Sequence, residues 1–329
     1  KRLLRLTLIC MIATSSLCSA RAEPAREAAD YLNRAINLIR QHHKDGPSAD
    51  WDQLVSQAYD DIATANTTSE TYPAIWRILQ TLGETHSFLV EPGTAGQEMS
   101  TSSKQSQGAA SQSMPTWAIV QDRYAVVRLP ALNTLGAGGE ALGKAYTAAL
   151  RQGLERMDTY DLCGWVVDLR GNEGGNMWPM LQGLDPLLGN PPFGFFTLRG
   201  STISMWSRTN GSVLAVAGDI SPSAPAFALK HERSPLAILL GPLTSSSGEM
   251  TALALIGRDK VKTFGTPTAG FTTGNSVYPL SDGALLVITT VTVQDRTGKD
   301  YHGPLLPDVA ASPEKAEGAA IDWLSQRCS

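Results

Sequence analysis

The segment Thr244-Ser-Ser-Ser-Gly-Glu249 lies between the apolar run Leu236-Ala-Ile-Leu-Leu240 and the helix-like Met250-Thr-Ala-Leu-Ala-Leu-Ile256. A short buried strand that turns into a helix presents a hydroxyl at the head of that helix. Unpaired backbone N–H groups and the positive end of the dipole can hold an oxyanion there. Ser246 is therefore a candidate nucleophile. The same residues also admit a purely structural use: Ser246 followed three positions later by Glu249 fits a capping box, in which the serine only closes the helix start.

Serine hydrolysis needs a base of near-neutral pKa, and histidine is the usual one. His86, in Leu82-Gly-Glu-Thr-His-Ser-Phe88, is far upstream of Ser246. His42 and His43 sit on a polar helix face, and His231 in the charged loop Lys230-His-Glu-Arg233. A further chemistry-bearing segment is Asp168-Leu-Arg-Gly-Asn-Glu-Gly-Gly175, directly after an apolar strand. Its closing glycines let the backbone approach a ligand with N–H groups exposed. It also reads as an ordinary turn with Asp168 and Arg170 in an ion pair. No histidine–carboxylate group has metal-ligand spacing, so neither a metal nor a cofactor is expected.

The elements that must position these residues fall into two parts. Ala28, Tyr31, Leu32, Ala35, Ile36 and Ile39 recur at helical spacing, and 52–63 and 73–82 read as two more helices. Residues 23–92 are thus expected to form a small helical domain without strands. Residues 93–115, rich in Gly, Ser, Gln and Ala, read as a flexible polar linker or loop. Over 116–329 strands and helices alternate: a hairpin at 117–129, a helix at 138–157, a buried strand at 164–169 and a helix over 175–188. The Leu236 strand, the helix after Ser247 and strands at 261–264, 276–280 and 284–293 complete an α/β body.

The N-terminus reads as a targeting segment. Basic Lys1-Arg-Leu-Leu-Arg5 precedes an apolar stretch to Leu17 and then Ala20-Arg-Ala22, which is the succession of a secretory signal at 1–22. Export to the periplasm or outside the cell is expected, with cleavage after Ala22. Ser-Ser-Leu before Cys18 matches a lipobox poorly, and no other segment has the length of a membrane span. Residues 1–22 contain four basic residues (Lys1, Arg2, Arg5, Arg21) and no acid, so the remainder has 23 basic against 31 acidic residues, net −8. That charge argues against nucleic acid as a partner. Cys163 and Cys328 are the cysteines left, and in an exported chain they invite one disulfide; a buried thiol at Cys163 is the alternative.

Taken in order, the motifs resemble the C-terminal processing (tail-specific) serine peptidases and the catalytic core of tricorn protease. The shared pattern runs Asp168-Leu-Arg-Gly-Asn-x-Gly-Gly175, Thr244-x-Ser246-x-x-Glu249, Gly265-x-Pro-Thr-x-Gly270, Leu280-x-Asp-Gly283, then Gly298 and Pro307-Asp308. The resemblance implies a ClpP/crotonase-like α/β body and an acyl-enzyme on Ser246, with a peptide or unfolded protein as substrate. It places the oxyanion on backbone N–H groups of Ser247 and of Gly174 or Gly175. The tail-specific branch carries its lysine base one residue after the Thr-x-Gly motif. Here that residue is Phe271, and Lys262 is out of register. The tricorn-like branch uses a histidine preceded by a hydroxyl residue, which Thr85-His86 matches. That branch's orienting glutamate falls in this chain on His302 or Asp300, and Glu249 is the other candidate acid. The peptide-binding domain inserted in many tail-specific enzymes has only the polar loop 94–114 in its place. A non-catalytic member of the same fold that binds peptide or lipid is the alternative reading.

Overall fold

The computed structural model describes residues 23–83, 85–94, 114–218 and 223–328. The expected signal segment and most of the expected linker lie outside these residues. The chain opens with helices α1 (Arg26–His42), α2 (Trp51–Asp61) and α3 (Tyr72–Thr81). The Asp50 side chain accepts the Gln53 N–H at 3.2 Å and caps α2, and Pro73 starts α3 without losing a helical hydrogen bond.

Next come β1 (Phe88–Val90), β2 (Thr116–Val120), β3 (Tyr124–Arg128), α4 (Gly139–Met157) and β4 (Gly164–Asp168). They are followed by α5 (Met177–Gly183), β5 (Gly194–Leu198), β6 (Ser201–Thr209), β7 (Ser212–Val216), β8 (Leu236–Leu240) and α6 (Ser247–Leu255). The last elements are β9 (Val261–Gly265), β10 (Thr273–Pro279), β11 (Leu285–Asp295), β12 (Asp300–Tyr301), β13 (Val309–Ala310) and α7 (Pro313–Ser325).

One sheet has the order β13-β9-β8-β4-β3-β2 and is parallel except for β2. Its strands are covered on both faces, which is why they read as continuous apolar runs. Ala125, Val127, Trp165, Val167, Ile238 and Leu240 point toward α4, α5 and α6. The alternate residues Val126, Val166, Ala237, Leu239 and Phe264 point toward α7, which buries Ala316, Ala320 and Leu324 against them. A disulfide between Cys163, at the head of β4, and Cys328 ties the end of α7 to this sheet, with the Cα atoms 5.1 Å apart.

The second sheet, β1-β11-β5-β6-β7 with β10 and β12 also on β11, is antiparallel. The long β11 organises it. The N-terminal helices share one core with it: Leu32, Ile36, Ile75, Ile78 and Leu79 pack with Leu280, Ala284, Leu286 and Ile288.

Two expectations are corrected. Residues 23–92 do contain a strand, because β1 pairs Phe88–Val90 with Val287–Leu285. A strand of three residues is too short to show alternation, and its partner is about 200 positions away. The helix expected over 175–188 begins only at Met177. Gly174 and Gly175 hold φ of 105° and 110°, outside the helical region, and the Asn176 side chain caps the start by accepting the Trp178 N–H at 3.1 Å.

The Leu280-x-Asp-Gly283 motif acts in this docking. Asp282 accepts from Tyr31 Oη at 2.9 Å, Tyr72 Oη at 2.6 Å and the Ala284 N–H at 3.0 Å. Burial alone would raise its carboxyl, but the hydrogen bonds from Tyr72, Ala284 and Tyr31 prevail and hold it below the ordinary carboxylate value. Its stabilising contribution is therefore present above the unfolded value of about 4 and is lost as pH falls through the lowered folded value. Asp282→Asn is expected to cost about 1 kcal/mol at neutral pH and to flatten the acid limb of the stability profile, read from denaturation midpoints across pH.

Candidate active site

Ser246 sits where β8 has ended and α6 begins, with φ 49° and ψ −114°, a backbone conformation that L-residues rarely adopt. What holds it there is Glu249, fully buried on a helix that is itself buried all round. Glu249 Oε2 accepts the Ser246 N–H at 2.9 Å. Its Oε1 accepts the Gly270 N–H at 2.8 Å and the Thr268 hydroxyl. Burial pushes this carboxyl above its ordinary value against the hydrogen bonds from Thr268, Gly270 and Ser246 that favour its charge.

The structure brings His86 to Ser246 across 160 positions: Nε2 stands 3.0 Å from Ser246 Oγ. His86 Nδ1 is 2.6 Å from Thr273 Oγ1, and the His86 carbonyl accepts from Asn275 Nδ2 at 2.8 Å. The ring of Phe271, at the position of the family lysine, packs on the imidazole with centroids 5.0 Å apart. Ser87 Oγ accepts the Thr289 N–H at 2.8 Å and fastens the same segment to β11.

The glycine turn lies on the other side of Ser246. A Cβ on Gly174 would stand 2.9 Å from Ser246 Cβ, and one on Gly175 would stand 2.0 Å from the Leu132 carbonyl, so both positions exclude side chains. The Gly174 N–H is already engaged by Asn172 Oδ1 at 3.0 Å. The N–H groups of Gly175 and Ser247 have no hydrogen-bond partner among the described residues. The two residues are close, since Ser247 Oγ donates to the Gly175 carbonyl at 2.6 Å. Of the two glycines put forward as a donor, Gly174 has its N–H engaged by Asn172.

The two acids put forward to orient His86 use their carboxylates elsewhere. Glu249 serves Ser246, Thr268 and Gly270, while Asp300 is exposed and accepts from Gln294 Nε2 at 3.0 Å. Neither lines the cleft that contains Ser246 and His86, nor does His302 or Lys262. Thr273 is the neighbour that sequence reasoning missed, and a lone threonine in a Thr-rich stretch carries no signal for this position. Asp168 and Arg170 form the ion pair considered from sequence, with Arg170 Nη2 at 2.7 Å from Oδ2. His231 is paired with Asp158 at 2.8 Å.

The cleft around these groups has a volume of about 650 Å³, with Trp178, Phe196, Leu243, Phe271 and Val277 on its apolar walls. A hydroxyl hydrogen-bonded to an imidazole, beside two N–H groups without a partner among the described residues, can attack an acyl carbon while the imidazole takes the proton.

The model of peptidase family S41 matches residues 123–311, and the chain belongs to this family. It is 28% identical over 285 residues to a nisin-resistance protein of Lactococcus lactis subsp. lactis, covering 85% of this chain and 81% of that protein. A lipoprotein from Streptococcus agalactiae has a similar structure, with a TM-score of 0.73 at 23% identity over 98% of this chain and all of its own. The photosystem II D1 C-terminal processing protease has a TM-score of 0.59 at 16% identity, over 93% of this chain and 98% of its own. At these identities the two structures share the fold. Among the described residues no helix is long and apolar enough to cross a membrane.

Because the Glu249 carboxyl is raised in the folded chain, its charge opposes folding. Stability should fall as pH rises from the unfolded value of about 4.3 through the raised folded one, opposite in sign to Asp282. Glu249→Gln should remove that slope in denaturation midpoints. Glu249→Ala, which strands the donors of Ser246, Thr268 and Gly270, should cost about 3 kcal/mol or more.

Proposed function

We propose that this protein is an exported serine peptidase that hydrolyses peptide bonds through an acyl-enzyme on Ser246, with His86 as general base. The observation that carries this reading is the 3.0 Å approach of His86 Nε2 to Ser246 Oγ inside an apolar cleft. In the tautomer whose Nδ1–H donates to Thr273 Oγ1, Nε2 is the atom that accepts the serine proton. Ser246 Oγ attacks the substrate carbonyl, and the oxyanion is received by the N–H groups of Ser247 and Gly175. The imidazolium then gives its proton to the leaving amine. Water, deprotonated by His86, releases the acyl group and regenerates the serine. Phe271 lends the imidazole an apolar wall in place of the lysine that another branch would use. Family membership supports a peptide as the substrate class.

Ser246→Ala should abolish hydrolysis of an unfolded protein such as casein and also labelling by a fluorophosphonate probe. His86→Ala should lower kcat/KM on the order of 10²-fold or more, Thr273→Val about 10-fold, and Lys262→Ala little. The pH–rate profile should rise with an apparent pKa of about 6 to 7. Nisin belongs in the substrate panel because a relative spanning most of the chain is a nisin-resistance protein. A folded protein that neither labels nor cleaves any peptide would move the assignment to the non-catalytic binding reading.

Export rests on the basic, apolar and Ala-x-Ala succession over residues 1–22. The intact mass of the secreted protein should correspond to a chain beginning near Glu23. An uncleaved chain or a diacylglycerol adduct on Cys18 contradicts this.

A further inference from the structure

Glu173 is the residue that the shared motif Asp168-Leu-Arg-Gly-Asn-x-Gly-Gly175 leaves open. Its neighbours are among the most constrained in the molecule. Asn172 is fully buried, with Nδ2 donating to the Leu129 carbonyl at 3.1 Å, Oδ1 accepting the Gly174 N–H, and its carbonyl accepting the Ser245 N–H at 2.9 Å. Gly174 and Gly175 are held by positive φ and close backbone approach. Glu173 itself is exposed, lines the cleft, and makes no ion pair or side-chain hydrogen bond among the described residues. It is also the one carboxylate among the described residues lining that cleft, which include no lysine or arginine. A rigid turn therefore presents an unpaired negative charge two residues from the Gly175 N–H, in a site whose other walls are largely apolar, with Leu243 and Val277 exposed at its rim.

Building on the peptidase reading, we infer that Glu173 is a specificity residue that selects substrates with a basic side chain close to the scissile bond. An unpaired carboxylate favours a cationic partner and repels an anionic one, and it acts over a few ångströms in a site whose apolar walls exclude part of the water. The same charge disfavours a free C-terminal carboxylate at that distance, so cleavage falls within a chain, beside a lysine or arginine with apolar neighbours. The net charge of −8 over residues 23–329 steers basic peptides in the same sense.

The test uses the full mature chain and internally quenched peptides that share one apolar sequence. A single residue is set to Lys, Gln or Glu at successive positions on either side of the cleaved bond. At one position wild type should prefer Lys over Glu by about 10-fold in kcat/KM at low ionic strength, and less as salt screens the charge. Glu173→Gln should bring that ratio near unity, and Glu173→Lys should invert it. If wild type cleaves the set and the ratio is the same in both variants, the inference is overturned while the peptidase reading stands. Absence of cleavage of every peptide, with no fluorophosphonate labelling of Ser246, overturns both.

Discussion

A single buried carboxylate ties together the loops around Ser246. Glu249 is fixed on a helix that is buried on every side, so it cannot turn toward water. One of its oxygens holds the Ser246 N–H, and the other holds Thr268 and Gly270. Two segments that are not adjacent in the chain are thus clamped to one group. The first carries Ser246, kept in a backbone conformation that would otherwise relax. The second leads into Phe271, whose ring rests on His86. Capping the helix and mounting the serine are therefore not competing uses of these residues. The acidic half of the capping box is what makes the mount rigid.

The imidazole depends on a different set of forces. His86 follows the N-terminal helices, and those helices share one core with β11. Strand β1, the Ser87–Thr289 and Asn275–His86 hydrogen bonds, and the clasp of Tyr31 and Tyr72 on Asp282 all fix the same segment against β10 and β11. Hydrophobic burial supplies the bulk of this docking, while the polar bonds set its register. Such redundancy holds the His86 imidazole within hydrogen-bond reach of Ser246, and in the proposed role of general base a displacement of about 1 Å would cost on the order of 10²-fold in rate.

Local pattern carries much of this protein. Helical spacing in 28–39, continuous apolar runs at β4 and β8, and the Ser246–Glu249 spacing depend on neighbours in sequence, and they dictate the α/β body, its N-terminal helices and the serine's mount. Motif order likewise puts His86 forward as a candidate. What local pattern cannot contain is pairing across long separations. The strand β1 is three residues long, and a partner strand alone makes it a strand. Gly174 and Gly175 are identical as residues, and the Asn172 side chain engages the N–H of Gly174. Thr273 beside Nδ1, Phe271 against the ring, and Glu249 facing Ser246 and Gly270 rather than His86 are likewise outcomes of packing. The residue types and spacings permit these groups to do chemistry. Which of them meet is set by the docking of two sheets and a helical segment, an interaction whose partners lie 160 or more positions apart.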